Sequence, residues 1–177
     1  AGDEPAPEAP PPAKEDFEVA KQITYDDCSA SQESTVGSAD VSANVKSAFV
    51  HAYLNGLSVA ERQTNALYKR WYGAYTATRY AKVLGKWKKI TDGFASNITY
   101  NCKGPACKSN WIAYVYKGGK LEVFLCNLYW SAPDTGTDTK YGTLIHEVSH
   151  EAANTHDHAY GMTNCLNLAT KRSGQSR

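Results

Sequence analysis

The sequence predicts an α+β fold, a mainly helical domain carrying a small antiparallel sheet. Three observations predict it. Apolar residues recur at helical spacing through the first half, the middle is β-rich, and helical character returns around a histidine-rich stretch near the end. Strands gathered in one block, instead of alternating with helices, argue against a parallel α/β sheet.

Residues 1–16, AGDEPAPEAPPPAKED, hold five of the seven prolines and almost nothing a core could use. Such a segment favours extended polyproline conformations and reads as a linker or as the remnant of a cleavage. The globular domain is expected over 17–177, its packed part starting near Phe17 or Ile23. Between Ser31 and Leu57, Val41, Val45, Ala48, Phe49 and Ala52 recur at helical spacing and predict a first helix with that stripe as its apolar face. Ser58, with Glu61 three residues on, forms a capping box and opens a second. Tyr80, Val83, Leu84, Trp87 and Ile90 make a third apolar stripe, ending near Gly93. The aromatics of this region, Trp71, Tyr72, Tyr75, Tyr80 and Trp87, are expected in the core. Ile98–Cys102, Trp111–Tyr116 and Leu121–Leu125 read as strands. Gly118-Gly119 between the last two can supply the positive φ angles of a tight hairpin.

The formal net charge of +1 gives no reason to expect nucleic acid or an anionic membrane as partner. No apolar run approaches the eighteen or so residues of a membrane helix. No basic-then-apolar segment stands at Ala1, so any targeting sequence is expected to have been removed already. The five cysteines, Cys28, Cys102, Cys107, Cys126 and Cys165, fit no C-x-x-C pattern. They read either as two disulfides plus one thiol in a secreted chain or as five reduced thiols in a cytosolic one.

Four of the five histidines lie between His146 and His158. His146-Glu147-Val148-Ser149-His150 is an H-E-x-x-H motif. Residues four apart share a helix face, so both imidazoles can converge on one Zn²⁺ ion, while Glu147 lies to the side, placed to reach a water activated by the metal. Asp138 or Thr139 can cap this helix, and Leu144 and Val148 give it an apolar side facing away from the histidines. Asn154 is the residue best able to turn the chain back in a left-handed conformation. Asp157 can then complete a His-His-Asp site, and Tyr160 can bring a hydroxyl into the same space. His156 and His158 are alternative donors. The bland reading is a helix with solvent-exposed histidines and a core tyrosine.

His146-Glu147-x-x-His150 followed by T-x-D-x-x-Y-G in Thr155–Gly161 resembles the signature of the aspzincin metalloendopeptidases, the family of deuterolysin and the peptidyl-Lys metalloendopeptidases. YDDCS at Tyr25–Ser29, RWYG at Arg70–Gly73, AYVY at Ala113–Tyr116 and WSAPDTGTDTKYGTL at Trp130–Leu144 are similar to segments of the same family, its Lys-specific branch for the last three. The resemblance implies a zincin-like domain with an active-site HExxH helix and one zinc held by His146, His150 and Asp157. It implies Glu147 as general base, Tyr160 steadying the transition state, and disulfides Cys28–Cys102 and Cys107–Cys126 with Cys165 single. It also implies a secreted monomer made as a proenzyme with a propeptide, acting on proteins or peptides. Two departures stand out. Asn154 occupies a position where the family usually has glycine, and the loop before the aspartate is about two residues shorter. The family's N-A-D segment, which favours lysine after the scissile bond, has no match here, so a preference for lysine at P1′ rests on likeness alone. Two other functions fit the bare motif: a secreted, zinc-stabilised module without activity, and a zinc hydrolase of another amide such as cell-wall peptide.

Overall fold

The computed structural model describes residues 20–174. The Pro-rich stretch 1–16 and the predicted domain start at Phe17 lie outside the described residues. Strand β1 (Ile23–Asp26) is followed by four helices, α1 (Ala30–Gly56), α2 (Val59–Thr64), α3 (Ala66–Tyr72) and α4 (Ala77–Ala95). Three strands come next, β2 (Ile98–Asn101), β3 (Ala113–Val115) and β4 (Glu122–Leu125), then α5 (Asn127–Ser131), α6 (Lys140–Ala152) and α7 (Met162–Gly174). The α+β class is as expected, but the sheet is mixed, not antiparallel. Its order is β1-β2-β4-β3, with β1, β2 and β4 parallel and only β3–β4 antiparallel. Two pairings depart from the expectation: β2 and β4 run parallel, with β3 added on the outer side of β4, and Ile23–Asp26, four residues long, adds a further parallel strand that carries no strand signal of its own. A parallel pair needs a long crossover, and α1–α4 supply it between β1 and β2.

The β3–β4 hairpin pairs Ala113 with Leu125 and Val115 with Val123. Its connection is looser than the predicted tight turn: only Gly118 has a positive φ, at 85°. Both capping boxes are complete, Ser29 with Gln32 on α1 and Ser58 with Glu61 on α2.

Helix α1 lies where the periodicity placed it, but turned. Val41, Val45 and Phe49 are 62–69% exposed, while Val36, Ala39, Asp40, Ala43 and Ser47 are buried. The buried stripe is small because α1 packs against both α4 and α6. Its one charge is satisfied, since Asp40 accepts from the Tyr100 hydroxyl at 2.6 Å and pairs with Lys21.

The main core joins that stripe to Ile90 and Phe94 of α4, Ile98 and Tyr100 of β2, Val123 and Leu125 of β4, and Leu144 and Val148 of α6. A second cluster gathers Leu54, Tyr68 and Tyr80, with Tyr72, Tyr75 and Trp87 against it. Trp71 departs from the expected core placement, being 39% exposed. Disulfides Cys28–Cys102 and Cys107–Cys126 tie the ends of β1 and β4 to the chain around β2, and Cys165 is free. Among the described residues no helix is long and apolar enough to cross a membrane.

Candidate metal centre

Helix α6 places the centre, and its sequence dictates how. Thr139, not Asp138, is the N-cap, its side chain accepting from the Gly142 amide. Leu144 and Val148, four apart, are fully buried and seat the helix on the core. At Gly93 of α4 the two helices touch, so a Cβ there would stand 2.9 Å from Ala152 Cβ and 3.0 Å from Val148 Cγ1. The remaining face, with His146 and His150, looks into an open cleft of about 1010 Å³. The cleft is also lined by β3, an edge strand of the sheet, through Ala113, Tyr114 and Val115.

Beyond α6 the chain reverses at Asn154, whose φ is 47°. This asparagine tolerates the left-handed conformation, so the glycine usual at this point is not required. The reversal brings Asp157 back over the helix. Its Oδ1 lies 3.2 Å from His146 Nε2 and 3.2 Å from His150 Nε2, and the two imidazole nitrogens are 3.1 Å apart. Ligands at zinc's usual 2.0–2.1 Å in a tetrahedral arrangement stand about 3.3 Å from one another. The observed triangle therefore has the size of one face of such a tetrahedron. Among the described residues these three form a donor cluster that could hold a metal ion.

Hydrogen bonds fix how the donors point. The Thr155 carbonyl can only accept, so the His150 Nδ1 that contacts it at 3.1 Å carries the proton, and Nε2 offers its lone pair to the cleft. The Thr155 hydroxyl is 3.2 Å from the same Nδ1 and 2.7 Å from Ser149 Oγ, which itself donates to the His146 carbonyl. Asp157 keeps Oδ1 for the histidines because Oδ2 accepts the Tyr160 hydroxyl at 2.6 Å.

Electrostatics follow from burial. Desolvation pushes the Glu147 carboxyl up to about 7, with the Asp157 charge adding to it. Desolvation also lowers His146, against the opposing pull of Asp157. Burial would raise Asp157, but the Tyr160 hydrogen bond and the two imidazoles hold it below the usual carboxylate range. The bond to Asp157 is the main reason that the Tyr160 phenol rises to about 12. The metal-free site thus favours neutral imidazole at His146 and an ionised Asp157, the states in which each can act as a ligand.

All five residues singled out from the sequence, His146, Glu147, His150, Asp157 and Tyr160, meet in this cleft. Tyr160 is not the core tyrosine of the bland reading, being 68% exposed. His156 also lines the cleft, with its Nδ1 3.3 Å from the Lys117 ammonium, but neither it nor His158 belongs to the donor cluster. Sequence reasoning missed the part played by Thr155 and Ser149 and the approach of Lys86 and Lys117 to the loop. Thr155 was visible only as a letter of the motif, and contacts between α6, α4 and a hairpin tip leave no local pattern.

The family model for aspzincin, described as lysine-specific metallo-endopeptidase, matches residues 57–176. An extracellular protease of Aeromonas hydrophila is 42% identical over 106 residues, 58% of this chain and 30% of that protein. A peptidyl-Lys metalloendopeptidase of Grifola frondosa is 34% identical over 154 residues, 86% of this chain and 42% of that protein. The chain thus spans less than half the length of these two curated relatives. A solved structure described as a zinc peptidase from Grifola frondosa is similar with a TM-score of 0.73 and 32% identity, covering 84% of this chain and 89% of that one.

Proposed function

The chain belongs to the aspzincin family of metalloendopeptidases, and from that premise we propose that it is a secreted, zinc-dependent endopeptidase. The observation that carries the reading is the donor triangle of His146, His150 and Asp157 with the buried Glu147 carboxyl beside it. His146 Nε2, His150 Nε2 and Asp157 Oδ1 would hold one zinc ion beside the cleft where substrate would enter. When bound, zinc supplies Lewis acidity toward the scissile carbonyl and toward water.

The chain's own residues do the rest. Glu147 takes a proton from the attacking water at its carboxylate and passes it to the departing amine. Its raised pKa suits it to both halves of that transfer near neutral pH. Tyr160 holds Asp157 in place in the resting site. When substrate enters, its exposed hydroxyl turns to the carbonyl oxygen, where negative charge develops. Edge strand β3 lines the cleft with one side unpaired by the sheet, so an extended peptide can lie along it.

Protein or peptide substrates follow from this reading, and the names of the relatives point to lysine at the cut, which we place after the scissile bond. Secretion is supported by the two disulfides and by the extracellular relative. A monomer released from a proenzyme completes the proposal. A Glu147→Ala protein tests it: zinc should be retained at one ion per chain while casein cleavage is lost. Undiminished cleavage would remove Glu147 from the mechanism. Digestion of a peptide library with and without chelator would show whether lysine follows the cut.

A further inference from the structure

Between α6 and Asp157 the chain presents three successive backbone carbonyls, those of Ala153, Asn154 and Thr155, and each meets a lysine. Lys86 Nζ on α4 donates to the Ala153 carbonyl and, at 3.3 Å, to that of Asn154. Lys117 Nζ, at the tip of the β3–β4 hairpin, donates to the Thr155 carbonyl at 2.6 Å. Carbonyls at a helix C-terminus lack intrahelical partners and carry the negative end of the helix dipole, so ammonium groups are suited to them. The hairpin tip is itself pinned to α6, because both carboxylate oxygens of Glu151 accept the Gly118 amide, at 3.2 and 2.9 Å. Lys117 is thereby delivered to the loop by one residue of the very helix that carries His150.

We propose that Lys86 and Lys117 are positioning residues for the metal centre, fixing through the carbonyls of Ala153, Asn154 and Thr155 the turn that returns Asp157 to His146 and His150. The inference rests on the zinc reading above. Two features make the clamp more than a helix cap. The Thr155 carbonyl that Lys117 holds is the one that orients His150, so its displacement would loosen two of the three donors together. Moreover, the arrangement gathers cations: burial lowers the Lys86 pKa, and repulsion from Lys89, Lys82 and Lys117 lowers it further. Cations crowded beside a site for a divalent cation oppose its binding by simple repulsion. Loss of a lysine should therefore tighten metal binding if charge alone mattered, and weaken it if the lysines hold the loop.

That difference in sign is the test. Zinc release into excess chromogenic chelator would be timed for the wild type, Lys86→Met, Lys117→Met, Lys117→Arg and, as a control at the same hairpin tip, Lys120→Met. Lys86→Met and Lys117→Met should release zinc about tenfold faster, the scale for partners that orient metal ligands. Lys117→Arg should stay near wild type and Lys120→Met should release no faster. Zinc-free melting temperatures, expected to be nearly unchanged, separate loosening of the site from loss of fold. If Lys117→Met does lower its zinc-free melting temperature, Lys86→Met decides alone. Release at the wild-type rate or slower in both methionine variants would overturn the clamp, as would equal acceleration in Lys120→Met. Wild-type protein that takes up no stoichiometric zinc would overturn the metal reading beneath it, and this proposal with it.

Discussion

His150 Nδ1 and the Thr155 carbonyl oxygen lie 3.1 Å apart, and that contact decides which ring nitrogen faces the cleft. A carbonyl cannot donate, so the proton sits on Nδ1 and the lone pair on Nε2, ready for a cation. The Thr155 side chain supports the same bond, its hydroxyl bridging His150 and Ser149.

Thr155→Val keeps the carbonyl and the shape but removes the bridge. Zinc affinity should fall roughly tenfold, the low end of the effect of losing a partner that orients a ligand. Competition against a chelator of known affinity measures it. An unchanged dissociation constant would mean that the backbone carbonyl alone sets the ring.

Glu147 gives the metal-free protein a pH dependence of its own. Its carboxyl is raised from 4.5 to about 7 in the fold. Between those values the folded chain keeps a proton that the unfolded chain has released, so stability falls as pH rises through that window. The loss attributable to Glu147 is on the order of 3 kcal/mol. His146, lowered in the fold, works in the opposite direction, with stability gained as pH rises toward the ordinary histidine value. Chemical denaturation of wild type and Glu147→Gln in chelator, from pH 4 to 8, isolates the Glu147 part. The wild type should lose ground against the variant as pH rises, and added zinc should shrink the difference by stabilising the carboxylate. Parallel curves in chelator would show that burial does not hold the proton on Glu147.

The site was more legible in the sequence than the fold around it. His146, Glu147 and His150 are linked by the helical repeat, and Asp157 and Tyr160 follow one local turn, so spacing and a resemblance sufficed. The sheet depended on β1 finding β2 across some seventy residues, which no local pattern records. In α1 the helical period appeared in two registers at once. Val41, Val45 and Phe49 carry the stronger apolar signal, yet Val36, Ala39 and Ala43 face inward because close contact with α4 and α6 admits small side chains. Hydrophobicity read from sequence cannot sense that spacing.

The corrected face of α1 is testable. Val45→Gln, on the exposed side, should change stability by no more than about 0.5 kcal/mol. Ala43→Leu, at a fully buried position, should cost about 1–3 kcal/mol through overpacking. Urea denaturation of both proteins compares them directly, and a reversed order would restore the apolar stripe to the core.

Gly93 joins stability to the metal centre. An alanine there would gain up to about 1 kcal/mol of helix propensity. Its Cβ, however, would meet Ala152 Cβ at 2.9 Å and Val148 Cγ1 at 3.0 Å, neither of them the free end of a flexible side chain. Overpacking of this kind costs about 1–3 kcal/mol, so the clash should outweigh the propensity. Relief requires α6 to shift away from α4, and Val148 and Ala152 flank His150 on that helix. Gly93→Ala should therefore lower the zinc-free melting temperature, by about 2–4 °C for each kcal/mol lost in a chain of this size. It should also speed zinc release, since Lys86 on α4 would draw off the carbonyls that it holds. Thermal melts in chelator together with a zinc-release time course measure both. A more stable variant with unchanged release would mean that the two helices are not seated on each other at this point.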